Sequence, residues 1–293
     1  MSSGGVEAII VSFNSGCSLI RCCEALLQEE RVERIRVIDN TPDGADSMLF
    51  KSGDFRDGRI AVTATGRNLG FGPAVNSALK EVAAPYVAIV NPDGVVETGA
   101  VARLVQVLEH EPQAVLAGAR LLGQDGREQQ GSRRREPTPG RLIANTLVRA
   151  LRLRRWYEFG FEMKDAPLPK GPVEVGAVSG ACMVARAAAL RAIDGFDERF
   201  FLHFEDLDLC KRLRNAGGTI LYVPDAVFHH EGGGSSASRP YFVIWHKHLS
   251  MIRYYFKHHR RLGAGGAWLP LICLMAVLRC GALMGRRLIS GRL

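Results

Sequence analysis

The chain has 293 residues, of which 47% are hydrophobic and 23% are charged, and this composition excludes a disordered protein. Its 38 Lys and Arg residues outnumber its 30 Asp and Glu residues, giving a net charge of +8. This charge favours an anionic partner, which composition alone does not resolve into nucleic acid, anionic lipid or a phosphorylated substrate. The 7 cysteines form no C-x-x-C pair, so we expect reduced thiols rather than a secreted disulfide framework.

The first 122 residues alternate short apolar runs with amphipathic stretches. The runs "EAIIVSF", "RIRVIDN" and "YVAIVN" predict strands, whereas "SLIRCCEALLQEE" and "PAVNSALKEV" have helical periodicity. This alternation predicts βαβ units and a parallel sheet with helices on both faces. The apolar run Ala8 to Phe13 is too short for the hydrophobic segment of a signal peptide, so we expect the chain in the cytosol.

The composition changes after residue 122. Residues 123–172 are rich in Arg, Pro and Gly and predict an irregular basic insertion. Strand and helix patterns return over residues 173–239, where the run "TILYVP" predicts a strand and "DAVFHHEGGGSSAS" a loop. Residues 240–293 predict a helix with basic flanks, followed by an apolar tail.

Polar residues follow each predicted strand of the first half. In open parallel sheets, ligands bind outside the carboxyl ends of the strands. The residues at these ends are Ser12 and Asn14, Asp39, Asn68 and Gly70, and Asp93. Each type is also common in turns, but together on one rim they favour a ligand site. The chain lacks a G-K-[ST] phosphate loop and a G-x-G-x-x-G motif after the first strand, which leaves a mononucleotide as the predicted ligand class.

Four residues suggest specific chemistry. Asp93 lies in a Pro-containing turn, where its carboxylate could coordinate a divalent cation. His230 is a candidate metal ligand, although the adjacent His229 leaves the choice open. Glu205 and Asp206 begin a predicted helix that ends in basic residues, so these acids either complement the helix dipole or perform catalysis.

Six segments in order resemble the inverting family-2 glycosyltransferases of the GT-A fold, particularly the branch with rhamnosyltransferases of bacterial surface polysaccharides. They are "VSFNS", "VIDNTPDG", "NLGFGPAVN", "NPDG", "SGACMVARAAALRAIDGFDERFFLHFEDLDLCKRL" and "YVPDAVFHHEGGGS". The resemblance implies an α/β, Rossmann-like fold with a mixed, mostly parallel sheet, helices on both faces and a C-terminal helical tail. It makes residues 1–122 the nucleotide-sugar-binding half and residues 173–239 the acceptor and catalytic half.

The resemblance also implies roles for individual residues. On the donor side, Asp39 resembles the residue that hydrogen-bonds the nucleotide base, Ser12 and Asn14 line the same pocket, and Asn68 and Gly70 form the loop beside it. On the catalytic side, Asp93 resembles the carboxylate of a D-x-D-like metal motif, here Asn91-Pro92-Asp93. His230 resembles a metal-contacting histidine, Asp206 the catalytic base and Glu205 a residue that orients it.

The partners implied by the resemblance are a nucleotide-diphosphate sugar, with dTDP-rhamnose as the predicted example, Mg²⁺ or Mn²⁺, and a polyprenyl-diphosphate-linked glycan acceptor. Nucleic acid is not among them. The enzyme is expected at the cytoplasmic face of the cytoplasmic membrane. The apolar segment from Trp268 to Gly285 is shorter than the ~20 residues of a spanning helix, and its basic flanks favour an interfacial helix on anionic lipid. The alternative is a helix packed on the catalytic domain or at a homodimer interface.

Two other functions remain as alternatives. A nucleotidyltransferase would share the mononucleotide fold and the metal, but it would need a basic, Gly-rich phosphate loop near the N-terminus, and "SFNSGCS" contains no Lys or Arg. A non-catalytic nucleotide- or lipid-binding protein on the same scaffold is the alternative from another class. Asp93, Asp206 and His230 together favour the enzyme.

Overall fold

The computed structural model describes residues 4–50, 57–150, 158–230, 240–259, 270, 272–278, 280 and 281. The helices are α1 (Cys17–Leu27), α2 (Ala45–Met48), α3 (Phe71–Leu79), α4 (Ala100–His110), α5 (Pro139–Ala150), α6 (Ala187–Ala192), α7 (Glu205–Asn215) and α8 (Pro240–His259). The strands are β1 (Val6–Ser12), β2 (Val32–Asp39), β3 (Ile60–Ala64), β4 (Tyr86–Val90), β5 (Gly94–Val96), β6 (Ala114–Leu122), β7 (Arg133–Arg134), β8 (Val173–Glu174), β9 (Ala177–Val178), β10 (Cys182–Arg186) and β11 (Thr219–His230).

The main sheet is mixed and mostly parallel, which confirms the predicted fold class. Its strand order is β3-β2-β1-β4-β10-β6-β11-β5, and β8 pairs with β11. The strands β3, β2, β1 and β4 are parallel neighbours. The strand β10 is antiparallel to both β4 and β6, and β11 is parallel to β6. The carboxyl ends of β1, β2 and β4 therefore meet on one edge, where the polar residues were predicted to gather.

Helices cover both faces of this sheet because the side chains of its strands alternate between two apolar cores. On β1, Ala8 and Ile10 belong to the core that also contains residues of α1 and α4. Ile9 and Val11 belong to the opposite core, with residues of α3, α7 and α8. A strand buried on both faces reads as a continuous apolar run, and "EAIIVSF" has this pattern.

The structure differs from the prediction over residues 225–230, which continue β11 rather than forming a loop. The register of β11 against β6 shifts between Val223 and Val227, around Pro224, which has no N–H to donate to a neighbouring strand. Beyond this irregularity, His230 pairs with Gly94 of β5. The pairing brings the end of β11 beside the turn that carries Asp93.

The segment 123–172 is also more regular than the predicted insertion. It contains α5 and β7, and β7 pairs with β9 in a second, two-stranded sheet. Both arginines of β7 are buried, and Arg133 forms an ion pair with Glu128. Arginines count as polar in a composition scan, but here they lie in the interior because each has a carboxylate partner.

The described part of the C-terminal region packs on the catalytic domain. Residues 272–278 are helical, with Ile272 fully buried in the core and Leu274, Val277 and Leu278 exposed. One side of this helix therefore packs on the core while its exposed apolar side chains leave contact with a membrane a prediction, and the rest of the predicted tail lies outside the described residues. In the part of the chain that the structure describes, none of the helices has the length and apolarity needed to cross a membrane.

A buried carboxylate joins α8 to α7. The side chain of Asp208 is 0% exposed and accepts hydrogen bonds from Arg212 Nε (2.7 Å) and His258 Nε2 (2.7 Å), while Lys257 Nζ lies 2.6 Å away. Burial opposes ionisation of this carboxyl, but the hydrogen bonds from His258, Lys257 and Arg212 outweigh it and lower its pKa below 3.8. Asp208 therefore serves structure rather than catalysis.

We expect Asp208→Asn to lower the free energy of unfolding by about 3 kcal/mol or more, because it leaves buried cations without their counter-charge. The matched control is Asp225→Asn, which breaks the solvent-exposed ion pair with Arg103 and should cost less than about 1 kcal/mol. Urea unfolding of both variants measures the difference, and equal losses would contradict it. Since the folded-state pKa is lowered, the wild-type contribution of Asp208 is present above pH 3.8 and is lost as the pH falls through the folded-state value.

Candidate active site

A pocket of about 290 Å³ lies at the carboxyl ends of β1, β2 and β4, and we call it the rim pocket. Its lining includes the predicted residues Asn14, Asn68, Gly70 and Asp93, and also Phe13, Asn40, Phe71, Phe201 and Phe242. Aromatic rings stack on planar bases, and side-chain amides supply both donors and acceptors. The rim pocket thus has the chemistry of a nucleotide site.

Two features hold the walls of this pocket in place. Asn40 Nδ2 donates to the carbonyl oxygen of Gly70 (3.1 Å), and Gly70 N–H donates to Asn68 Oδ1 (2.9 Å). Gly70 has a φ of +88°, and a Cβ there would lie 3.0 Å from Cδ2 of Phe201. Only glycine fits this position without strain.

Ser12 and Asp39 do not line the rim pocket but lie beneath it, fully buried and paired across β1 and β2. Asp39 Oδ1 accepts from Thr41 N–H (2.8 Å), and its Oδ2 accepts from the N–H and hydroxyl of Ser47 (both 2.7 Å). Burial opposes ionisation, but these hydrogen bonds lower the pKa of Asp39. In this structure the Asp39 carboxylate accepts its hydrogen bonds from Thr41 and Ser47 of the loop that follows it. Its contact with a nucleotide base stays a prediction.

The predicted pair Asp93 and His230 does meet. His230 Nε2 lies 3.0 Å from Asp93 Oδ1, and His230 Nδ1 lies 2.7 Å from Gln129 Oε1. Gln129 Nε2 donates to the backbone carbonyl of His230 (2.7 Å), which fixes the orientation of the amide. The neighbouring His229 is exposed and contacts Glu97 (2.7 Å), so the structure resolves the choice between the two histidines in favour of His230.

This geometry fits a cation. Because Gln129 Oε1 can only accept, His230 Nδ1 must carry a hydrogen, and the neutral ring then presents the lone pair of Nε2 to Asp93. Two acceptors facing each other require a proton or a metal ion between them. No group of three or more His, Cys, Asp or Glu side chains suitable for a metal occurs among the described residues. A metal here would take its remaining ligands from substrate phosphates and water.

A second cavity, of about 410 Å³, contains Glu205 and Asp206 in its wall, and we call it the carboxylate cavity. Residues 201–204 separate it from the rim pocket, because Phe201 lines the rim pocket while His203 and Phe204 line the carboxylate cavity. His203 and Phe204 have left-handed backbone conformations, with φ of 63° and 68°. Such strain in non-glycine residues is typical of functional sites.

The two compartments come close together at Gly180. A Cβ on this glycine would lie 3.6 Å from Asp206 Cβ and 3.8 Å from Cε1 of Phe71. Asp206 lines the carboxylate cavity, whereas Phe71 lines the rim pocket. Asp206 is therefore near the boundary at which a group bound in one compartment would meet a group bound in the other.

The adjacent acids Glu205 and Asp206 have different surroundings. Asp206 Oδ2 accepts a 2.5 Å hydrogen bond from Arg134, and Asp206 Oδ1 accepts from the N–H of Leu207 (2.8 Å). Among the described residues, no hydrogen-bond partner contacts the buried Oε2 of Glu205. Burial, followed by the charge of Asp206, raises the pKa of Glu205 to about 8. Near neutral pH, Glu205 is thus a protonated acid beside a carboxylate that is paired with arginine.

Sequence reasoning missed Gln129 and Arg134. Both belong to the segment that was predicted to be an irregular insertion, and they contact residues 101 and 72 positions away. Neither residue stands in a recognisable motif, so the sequence carries no local signal for either role. The lining residues Asn40 and Phe13, by contrast, lie in the strand-end segments that the sequence predicts for the ligand rim.

The fold and the site define a glycosyltransferase of the GT-A fold. The family model described as glycosyl transferase family 2 matches residues 7–190, and the chain belongs to this family. It is similar to the N-acetylglucosaminyl-diphospho-decaprenol L-rhamnosyltransferase of Mycobacterium tuberculosis, with 28% identity over 240 residues that cover 77% of this chain and 76% of that protein. It also resembles rhamnosyltransferase WbbL of Escherichia coli K12, with 35% identity over 71 residues, covering 23% and 26% of the two chains.

Solved structures share the fold at low identity. GalNAc-T7 with UDP, GalNAc and Mn²⁺ has a TM-score of 0.58 at 14% identity; the match covers 78% of this chain and 44% of that one. TarS of Staphylococcus aureus in complex with UDP-GlcNAc has a TM-score of 0.57 at 15% identity, covering 86% and 66%. Mannosyltransferase PcManGT of Pyrobaculum calidifontis with GDP-Man and Mn²⁺ has a TM-score of 0.56 at 15% identity, covering 98% and 79%.

We expect Asp206→Asn to lower the turnover number for transfer by ~10²–10⁴-fold, as is typical for loss of a general base. Glu205→Gln should lose less than about tenfold, because an amide replaces a neutral acid of nearly the same shape. Single-turnover assays at pH 7 with saturating donor measure both variants. If Glu205→Gln lowers the turnover number more than Asp206→Asn does, Glu205 rather than Asp206 is the general base.

The pH dependence of the free energy of unfolding, compared between the wild type and Glu205→Gln, tests whether Glu205 is protonated in the folded protein. Its pKa is raised from 4.5 to about 8, so the folded chain keeps a proton that the unfolded chain releases between these values. Stability of the wild type should therefore fall as the pH rises through this window. Glu205→Gln should remove that part of the decline, and urea unfolding at pH 5 and pH 8 measures it.

We expect Gln129→Ala to raise the Mn²⁺ concentration for half-maximal activity by about 10–100-fold, the usual effect of removing a residue that orients a metal ligand. His229→Ala is the matched control and should leave the metal dependence unchanged, since His229 contacts Glu97. Electron paramagnetic resonance of Mn²⁺ with a nucleoside diphosphate measures binding independently of turnover. Full wild-type activity in EDTA, or equal effects of the two variants, would contradict this prediction.

Proposed function

We propose that the protein transfers a hexose, with inversion at the anomeric carbon, from a nucleotide-diphosphate sugar to a lipid-linked glycan acceptor. The position of Asp206 carries this proposal. Asp206 lines the carboxylate cavity close to the rim pocket, while Asp93 lines the rim pocket itself. Inversion requires a base on one face of the sugar and stabilisation of the leaving group on the other. In this proposal Asp206 is the base, and Asp93 would hold the cation that stabilises the leaving group.

In the proposed reaction, the donor nucleotide occupies the rim pocket and its sugar points toward Asp206. The acceptor hydroxyl attacks the anomeric carbon and passes its proton to Asp206, while the bond to the diphosphate breaks on the opposite face. Arg134 orients the Asp206 carboxylate through the hydrogen bond to Oδ2. Mg²⁺ or Mn²⁺ held by Asp93 and His230 would stabilise the charge of the departing diphosphate.

The rhamnosyltransferase relatives support rhamnose as the transferred sugar, and we propose dTDP-rhamnose as its donor. The name of the M. tuberculosis relative includes a diphospho-decaprenol acceptor, which supports a polyprenyl-diphosphate-linked glycan as the acceptor class here. Such an acceptor is anchored in the membrane, so we place the enzyme peripherally at the cytoplasmic face. The exposed Leu274 and Val277, together with the net charge of +8, are compatible with an anionic lipid surface.

The test is incubation of the purified protein with Mn²⁺ and each of dTDP-rhamnose, UDP-GlcNAc, UDP-glucose and GDP-mannose, with and without a lipid-linked acceptor. We expect acceptor-dependent release of dTDP from dTDP-rhamnose, and a product whose anomeric configuration, measured by NMR, is opposite to that of the donor. Asp206→Asn is the control for contaminating activity. Release of the nucleoside diphosphate from another donor would change the assignment of the sugar. A product with retained anomeric configuration would exclude the inverting mechanism. Binding of a donor without release of its nucleoside diphosphate would support a non-catalytic protein.

A further inference from the structure

The carboxylate cavity reaches from a buried end to the protein surface. Its inner end is formed by Glu205 and Asp206, and its wall continues through Met251 of α8 to Met275 and Leu278 of the C-terminal helix. Met275 is buried, whereas Leu278 is 62% exposed. A ligand whose reacting group lies at Asp206 can therefore extend out of the protein past Leu278.

Both polar and apolar side chains line the carboxylate cavity. Amide and hydroxyl groups of Gln130, Asn145 and Thr146 line it, as does Arg134, which binds Asp206. The rest of the lining combines the charged or titratable side chains of Glu162, His203 and Lys247 with apolar side chains, which include Leu142, Phe161, Phe204, Met251, Met275 and Leu278. Thr146 Oγ1 lies 3.4 Å from Met275 Sδ, so α5 and the C-terminal helix meet along this wall. Methionine and leucine suit a flexible hydrocarbon chain and offer nothing to the hydroxyls of a sugar.

We propose that this cavity binds an amphiphilic acceptor, with its hydroxyl-bearing sugar at Asp206 and its hydrocarbon chain along Met251, Met275 and Leu278. The inference rests on the proposed glycosyl transfer and adds the place and the chemistry of acceptor binding. The protein recognises the lipid chain of a single acceptor molecule within its own catalytic domain. This differs from attachment of the whole protein to a membrane surface, which would not depend on the cavity wall.

The C-terminal helix supplies a matched pair of positions for the test. Leu278 and Val277 are adjacent, 62% and 68% exposed, and both apolar. Leu278 lines the cavity, whereas Val277 is not among its lining residues. A glutamate at either position places a charge on the same exposed surface and should weaken membrane attachment equally. Only a glutamate at position 278 places that charge beside the proposed chain.

The experiment uses the full chain and the methyl, butyl and octyl glycosides of N-acetylglucosamine as acceptors, without membranes. Each buried methylene should lower KM by about fourfold, so the octyl glycoside should have a KM at least about tenfold below that of the butyl glycoside. Leu278→Glu should abolish this advantage without changing kcat, the KM for the methyl glycoside or the KM for the donor. Val277→Glu should match the wild type within about twofold.

Calorimetric binding of the three glycosides to the wild type and both variants is measured in parallel, because it does not require turnover. Chain-length-dependent binding that is lost only in Leu278→Glu supports the inference, even if no nucleotide sugar is consumed and the proposed transfer fails. Affinity that is independent of chain length, or equal losses in both variants, overturns the inference, even if transfer itself is observed. Circular dichroism confirms that both variants are folded.

Discussion

The ion pair between Arg134 and Asp206 is the contact on which the arrangement of the site depends. Both side chains are nearly buried, and Arg134 also donates to the carbonyl oxygen of Val178 (3.1 Å). Since β7 pairs with β9, this one arginine ties residues 123–172 to the start of α7. Removing one partner of a buried pair leaves the other charge uncompensated, so the fold of this segment and the position of the proposed base rely on the same hydrogen bond.

The three acids at the start of α7 are close together in the sequence but have different surroundings in the structure. Successive residues of a helix point about 100° apart, so Glu205, Asp206 and Asp208 face different surroundings. Asp208 meets Lys257 and His258 of α8, Asp206 meets Arg134, and the buried Oε2 of Glu205 meets no hydrogen-bond partner in the part of the chain that the structure describes. The motif "FEDLDL" predicts an acidic helix start, but the role of each acid depends on what packs against it.

The sheet was predictable because its strands follow from local sequence rules, whereas the pairing of Asp93 with His230 was implied only by the family resemblance, since residues 225–230 were predicted to form a loop. Apolar runs define the strands, and parallel strands bring their carboxyl ends together. Gln129 and Arg134 were not predictable, because their partners are distant in sequence and their own segment has no periodicity. Asp39 illustrates a different limit. A polar residue at a strand end can face a ligand or close its own loop, and sequence alone does not distinguish these arrangements.

The family model covers only part of the site, whereas the similarity to the M. tuberculosis relative extends over 77% of the chain. The family match covers residues 7–190, which include most of the rim pocket but end before Glu205, Asp206 and His230. The carboxylate cavity is built from residues 130–162 and from residues after 202. Solved structures that share the fold at about 15% identity carry UDP-GlcNAc in one case and GDP-Man in another. Likeness of the fold therefore does not fix the donor, and in the proposed transfer we expect discrimination between acceptors to arise in the side chains around Asp206 and along α5, α8 and the C-terminal helix.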